Sequence, residues 1–151
     1  MSEYKGIWII AERKCDNQIA GVTLELINAA KGLSAQLGGE EVGTILLAGN
    51  ENLEDNIRTL SEAGSDKIYL IQDDSLANYS TEMYTDAVCQ AIEQKKPSII
   101  LVGATTTGRD YAPRVAARLR TGLTADCTAL SINEQGLLAA TRPTFGGNLM
   151  A

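Results

Sequence analysis

The chain has 151 residues, of which 44% are apolar and 21% are charged, an ordinary globular balance that suits one domain with its own core. It contains no histidine, so Ser-His and Cys-His nucleophile pairs, His-ligated zinc and an imidazole proton shuttle are excluded within this chain. Lys plus Arg is 13 against 19 for Asp plus Glu, a formal net charge of −6, which leaves no electrostatic footprint for non-specific nucleic-acid binding.

Short apolar runs alternate with longer amphipathic ones. Ile7 to Ala11 reads as a first buried strand. Val22, Leu26, Ala29, Ala30, Leu33 and Leu37 then recur at helical spacing between Ile19 and Leu37, and Gly38-Gly39 stops that helix. Val42 to Ala48 is a second strand. Asn50 is placed to cap a second helix with Leu53, Ile57, Leu60 and Ala63 as its apolar stripe, ended by Gly64.

Lys67 to Ile71 is the third strand. Ser80 can cap a third helix carrying Met83, Ala87, Val88, Ala91 and Ile92 on one face, with Lys95 and Lys96 at its end and Pro97 beyond. Ser98 to Gly103 is the fourth strand and Arg109 to Leu119 the fourth helix. Pro113 is expected in that helix's first turn, where a missing N–H is tolerated. Cys127 to Ile132 and Gly136 to Thr141 read as two further strands about a turn at 133–136. Gly147 to Ala151 looks like the start of another strand, so the pattern is expected to continue past the end of the chain.

Four strand–helix pairs in series predict an α/β fold: an open, mostly parallel twisted sheet with helices on both faces, Rossmann-like, as one domain over residues 1–151. No apolar run is long enough to span a bilayer, and the opening residues lack the basic and apolar regions of a secretory signal. Cys15, Cys89 and Cys127 are odd in number and far apart, which fits reduced thiols, each expected as a small buried hydrophobe. No Cys-x-x-Cys occurs to hold an iron–sulfur cluster, and no metal site is expected.

Ligands of open α/β sheets bind beyond the carboxyl ends of the strands. After the fourth strand comes Gly103-Ala104-Thr105-Thr106-Thr107-Gly108-Arg109-Asp110, with three hydroxyls, backbone N–H groups and an arginine at a helix start. This loop suits phosphate or another anion; a capping loop without ligand is the other reading. Arg114, Arg118 and Arg120 can line an anion groove, pair with acidic groups on a partner or form a solvated basic face, and Asp126 can accept from one of them. Neither Gly-x-Gly-x-x-Gly after the first strand nor a Walker sequence is present, and the acidic pairs Glu40-Glu41 and Asp73-Asp74 read as surface loops. Arg142-Pro143-Thr144-Phe145-Gly146-Gly147-Asn148 sets a rigid turn and a permissive Gly-Gly beside a guanidinium, which can donate to carbonyl oxygens or to a developing anion.

Residues 103–128, GATTTGRDYAPRVAARLRTGLTADCT, with 142–151, RPTFGGNLMA, and the opening strand IWIIAE resemble the alpha subunit of electron transfer flavoproteins over essentially the whole chain. The resemblance implies the amino-terminal α/β domain of that subunit, cut before a carboxy-terminal domain that carries the main FAD site. It implies a beta subunit as heterodimer partner, holding AMP or a second FAD, and an acyl-CoA or other flavin dehydrogenase as electron donor. The location it implies is the cytoplasm, or the mitochondrial matrix in a eukaryote. In its terms Arg142, Gly146, Gly147 and Asn148 lie near the partner-held flavin. Thr105, Thr106, Thr107, Gly108 and Arg109 are then a vestigial nucleotide loop, and no catalytic residue is expected.

Two functions of different class stay open at this point. One is a component of an FAD-dependent electron carrier between dehydrogenases and a redox acceptor, a simple relay or a bifurcating one. The other is a stand-alone ATP- or AMP-binding module of the universal-stress type, acting through the Thr105–Asp110 loop.

Overall fold

The structure is a computed structural model that describes residues 5–103, 105–120, 129–132 and 138–141. Its elements run β1 (Ile7–Ile10), α1 (Gly21–Gln36), β2 (Val42–Ala48), α2 (Glu54–Ala63), β3 (Lys67–Gln72), α3 (Thr81–Lys95), β4 (Ile99–Leu101), α4 (Thr106–Leu119), β5 (Ala129–Ile132) and β6 (Leu138–Thr141), with a short 3-10 turn at Asp74–Leu76 before α3. β1 to β4 form one parallel sheet in the order β3-β2-β1-β4, with Ile7 opposite both Val42 and Ile99. β5 and β6 pair antiparallel, Ala129 with Thr141 and Ile132 with Leu138, so both late strands form inside their expected bounds.

The alternation along each strand explains the two layers of core. Ile7, Ile9, Val42, Leu46 and Ala48 face one side and meet Ile27, Ala30 and Leu33 of α1 and Leu60 of α2. Trp8, Ile10, Ile45 and Leu47 face the other and meet Val88, Cys89 and Ile92 of α3 and Tyr111 and Val115 of α4. Helices thus cover both faces, as the continuous apolar strands require. All seven residues of β2 are buried, as its mostly apolar sequence implies, whereas no residue of the outer strand β3 is fully buried. Gly43 lies beneath the Trp8 and Tyr69 rings, whose centroids are 4.8 Å apart; a Cβ there would come within 2.8 Å of Tyr69.

Several local expectations need correction. The buried line of α1 is Thr23, Ile27, Ala30 and Leu33, while Val22 and Leu26 sit only half-buried beside it. Polarity hid Thr23 from a hydrophobic count, yet it is fully buried because its hydroxyl is satisfied by backbone at the end of β1. Asn50 does not cap α2; it donates to Asp74, and Asn52 accepts from the Glu54 N–H instead. Gly64 does end α2, with φ at 114° in the left-handed region. On α3, Ser80 caps as expected, but Met83 is exposed and Thr85 and Cys89 take its place inward. α4 begins three residues earlier than the sequence spacing indicates, at Thr106, so Pro113 stands inside the helix rather than in its first turn.

Candidate functional site at the carboxyl end of the sheet

β1 has β2 on one side and β4 on the other. The β1–β2 connection runs through α1 on one face, and α3 packs on the opposite face before the chain enters β4. The crevice outside the carboxyl ends of β1 and β4 is therefore the topological switch point, where open α/β sheets place their ligands. Two loops line it, the turn after β1 and the threonine loop after β4.

The turn after β1 is held by backbone. Lys14 donates to the Gln18 carbonyl, and Ala20 donates to the Glu12 carbonyl at 2.9 Å. The Thr23 hydroxyl accepts from the Glu12 N–H at 2.8 Å and donates to the Glu12 carbonyl at 3.0 Å, so α1 grips Glu12 by its backbone. Its side chain then reaches across the switch point. Thr105 donates its hydroxyl proton to Glu12 Oε1 at 2.6 Å, while Thr105 Oγ1 accepts from the Gly108 N–H at 3.1 Å and so caps α4. A Cβ on Gly103 would stand 3.0 Å from Glu12 Oε2 and 3.0 Å from Val22 Cγ2. A Cβ on Gly108 would fall 2.0 Å from the Gly103 carbonyl oxygen, so only glycine lets the first turn of α4 close onto the strand end.

Of the loop residues predicted from sequence, Thr105 points inward and is committed at both donor and acceptor sides. Thr107 is half-buried and Gly108 buried; Thr106 and Arg109 are exposed. Arg142, Gly146, Gly147 and Asn148 lie outside the described residues, as do Asp126 and Cys127. Arg118 pairs with Asp86 of α3, which resolves it as an ion pair within the chain. Asp73 and Asp74 are structural: one accepts from the Ser75 N–H, the other from Asn50. Glu40 and Glu41 accept from Ser98 and Tyr69 respectively. Cys89 is buried, which raises its thiol pKa, but Cys15 is exposed on the turn after β1, against expectation, because that turn projects into solvent.

The neighbouring loops are stitched in the same way. Arg13 pairs with Glu51 at 2.6 Å and donates to Asn56, which in turn donates to the Asn17 carbonyl. Gln72 donates to the carbonyls of Gly49 and Glu51. Tyr79 donates to Asp110 at 2.6 Å, and Thr81 donates to the same carboxylate oxygen. These two donors hold the Asp110 pKa below its ordinary value, and burial first, then the Asp110 bond, raises that of Tyr79. Tyr79, Tyr84 and Tyr111 form an aromatic cluster with centroids 4.8 to 6.4 Å apart. Sequence spacing alone missed this cluster, since Tyr79 lies before α3 and reaches Tyr111 only through tertiary packing. A cavity of about 480 Å³ lined by Lys5, Trp8, Glu40, Glu41, Tyr69 and Lys95 lies at the opposite, amino end of the strands, away from the switch point. Among the described residues no cluster of three or more Cys, Asp or Glu could hold a metal ion, and no helix is long and apolar enough to cross a membrane.

The four-stranded parallel sheet with helices on both faces defines a Rossmann-like α/β domain. The family model for the electron transfer flavoprotein domain matches residues 7–151, and the chain belongs to that family of flavin-binding proteins. It is 46% identical to the electron transfer flavoprotein subunit alpha of Thermoanaerobacterium thermosaccharolyticum over 100% of this chain and 44% of that protein. It is 45% identical to Protein FixB of Clostridium saccharobutylicum over 100% of this chain and 44% of that protein. It is also 44% identical to the lactate dehydrogenase (NAD(+),ferredoxin) subunit LctC of Acetobacterium woodii, over 99% of this chain and 35% of that protein. The chain thus spans less than half the length of the curated relatives it matches.

Proposed function

We propose that the chain is the amino-terminal α/β domain of an electron transfer flavoprotein alpha subunit. In this reading it docks a beta subunit and helps enclose the flavin or AMP held there, within a carrier that passes electrons from an acyl-CoA or other flavin dehydrogenase to a redox acceptor. The main FAD belongs to a further domain of the full-length protein. The observation that carries the reading is the full-length match of this chain to alpha subunits at 46% identity. Similarity to a subunit of a lactate dehydrogenase (NAD(+),ferredoxin) supports keeping a bifurcating assembly beside a simple relay as forms of this carrier.

Among the described residues, the loop after β4 is tied to Glu12 through the Thr105 hydroxyl. Arg142, with Gly146, Gly147 and Asn148, is assigned to the flavin of the partner. A bound flavin would supply the redox chemistry. Arg142 would donate to its pyrimidine edge and favour negative charge there, and the Gly-Gly backbone would allow close approach.

Coexpression of the full-length chain with a beta-like subunit is expected to yield a yellow heterodimer. Arg142→Ala and Arg142→Lys are expected to shift the flavin potential or spectrum of that complex. A colourless chain that binds ATP or AMP tightly without a partner would support the universal-stress type of module instead and overturn the proposal. Unchanged potentials and spectra in both variants would remove Arg142 from the flavin site.

A further inference from the structure

We infer that the cavity at the amino end of the sheet is a binding site for a small planar aromatic carboxylate. The inference stands on this domain's own residues and does not depend on the flavin reading.

The cavity holds about 480 Å³, within the range of small-molecule sites. It opens where β1 and β2 begin and α1 and α3 end, across the sheet from the threonine loop. One wall is aromatic. Trp8 of β1 and Tyr69 of β3 both line it, with ring centroids 4.8 Å apart and planes tilted by 39°. Gly43 of β2 lies between their strands, and a Cβ there would come within 2.8 Å of Tyr69 and 3.1 Å of Trp8. The bare Cα at 43 therefore lets the two rings close over β2 as one apolar surface. Tyr69 is also fastened at its far end, where its hydroxyl donates to Glu41 at 3.3 Å.

The charges around these rings are unevenly committed. Glu40 accepts from the Ser98 hydroxyl at 3.2 Å, and Glu41 takes both Tyr69 and, at 3.6 Å, the Lys67 ammonium. Lys5 and Lys95 line the same cavity, and among the described residues neither ammonium has an ion pair or a side-chain hydrogen bond. With Lys67, three cations meet two carboxylates here, on a chain whose formal net charge is −6. The end of α3 favours a cation at Lys95, but Lys5 precedes a strand and gains nothing from a helix. An aromatic wall beside two uncommitted ammonium groups is complementary to a ring that carries a carboxylate. The ring packs on Trp8 and Tyr69, and the carboxylate takes the lysines. A cationic ligand would meet those lysines as like charges and find both glutamates engaged.

The test uses the full-length chain with naphthoate as the probe, naphthalenemethanol as its uncharged counterpart and acetate as the anion without a ring, read by titration calorimetry. Naphthoate is expected to bind saturably with a Kd below about 1 mM, and the alcohol and acetate each about tenfold more weakly or worse. Lys5 and Lys95 are exposed, so the double variant Lys5→Gln/Lys95→Gln leaves the core intact; it is expected to lose about tenfold or more in naphthoate affinity. Lys14→Gln, on the turn at the other end of β1, is expected to leave that affinity unchanged. Absence of saturable binding by wild type would overturn the inference. So would an unchanged affinity in the double variant, which would put the probe elsewhere in the full-length protein, or an equal loss in Lys14→Gln, which would make the effect one of overall charge. Alcohol that binds as tightly as the acid would remove the lysines from the site, and acetate that binds as tightly as naphthoate would remove the rings; either result overturns it.

Discussion

Thr105 shows how much one side chain can decide. Its hydroxyl caps α4 through Gly108 and at the same time binds Glu12, so it is both a helix start and a cross-strand clasp. Thr105→Ala is expected to cost about 1–2 kcal/mol, the usual range for a lost cap, measured by urea unfolding followed through Trp8. Thr85 is the opposite case. Its hydroxyl is buried with no partner among the described residues, so Thr85→Val, nearly equal in volume, is expected to stabilise the fold by about 1 kcal/mol in the same assay. The cysteines divide by position. Cys15 is expected to react with an alkylating reagent on the native protein, and Cys89 only on unfolding, as peptide mass analysis would read.

At the scale of elements, α4 carries the clearest internal conflict. Pro113 has no N–H to donate to the turn behind it, and a proline inside a helix costs roughly 3 kcal/mol relative to alanine. Its rigidity also lowers the entropy of the unfolded chain, which offsets part of that cost. Pro113→Ala is therefore expected to raise stability by about 1–2 kcal/mol in thermal or urea unfolding. The contact between the segment before α3 and the start of α4 carries a pH dependence. Asp110 has its pKa lowered from the ordinary 3.8 by the Thr81 and Tyr79 bonds. A lowered folded pKa contributes stability that is fully present above 3.8 and is lost as pH falls through the folded value. Asp110→Asn is thus expected to be less stable than wild type at about pH 7, with the difference closing toward about pH 2, as urea midpoints at the two values would show. Tyr79 acts in the other direction. Its raised pKa gives stability present below 10.0 and lost as pH rises through the folded value.

At the scale of the whole molecule, the order β3-β2-β1-β4 brings the ends of β1 and β4 together and makes the switch point. The bonds among its loops then close it. Arg13 ties the β1 turn to the β2 loop, Gln72 ties β3 to that same loop, and Glu12 ties β1 to α4. These clasps join the loops after β1, β2, β3 and β4 into one connected end of the sheet. The heterodimer and Arg142 experiments test the proposed docking role at this scale.

Sequence alone determined most of the architecture. Buried strands announce themselves because a parallel sheet covered on both faces needs near-continuous apolar runs, and Val42 to Ala48, broken only by Thr44, was read to the residue. Glycine stops at 38–39 and 64 were legible because few other residues accept their positive φ. The family motifs at 103–128 and 142–151 were legible as strings. Where those strings act was not. The threonine loop advertises a phosphate site by composition, since hydroxyls and a helix start serve an anion and a cap equally well. Only the tertiary structure brought Glu12 to Thr105 across the sheet, hid Thr23 beneath it and gathered three tyrosines from two elements and a loop. Local pattern fixes which face a residue takes on its own strand or helix. Which distant side chain shares its hydrogen bond depends on strand order, and strand order is set by packing of the whole chain.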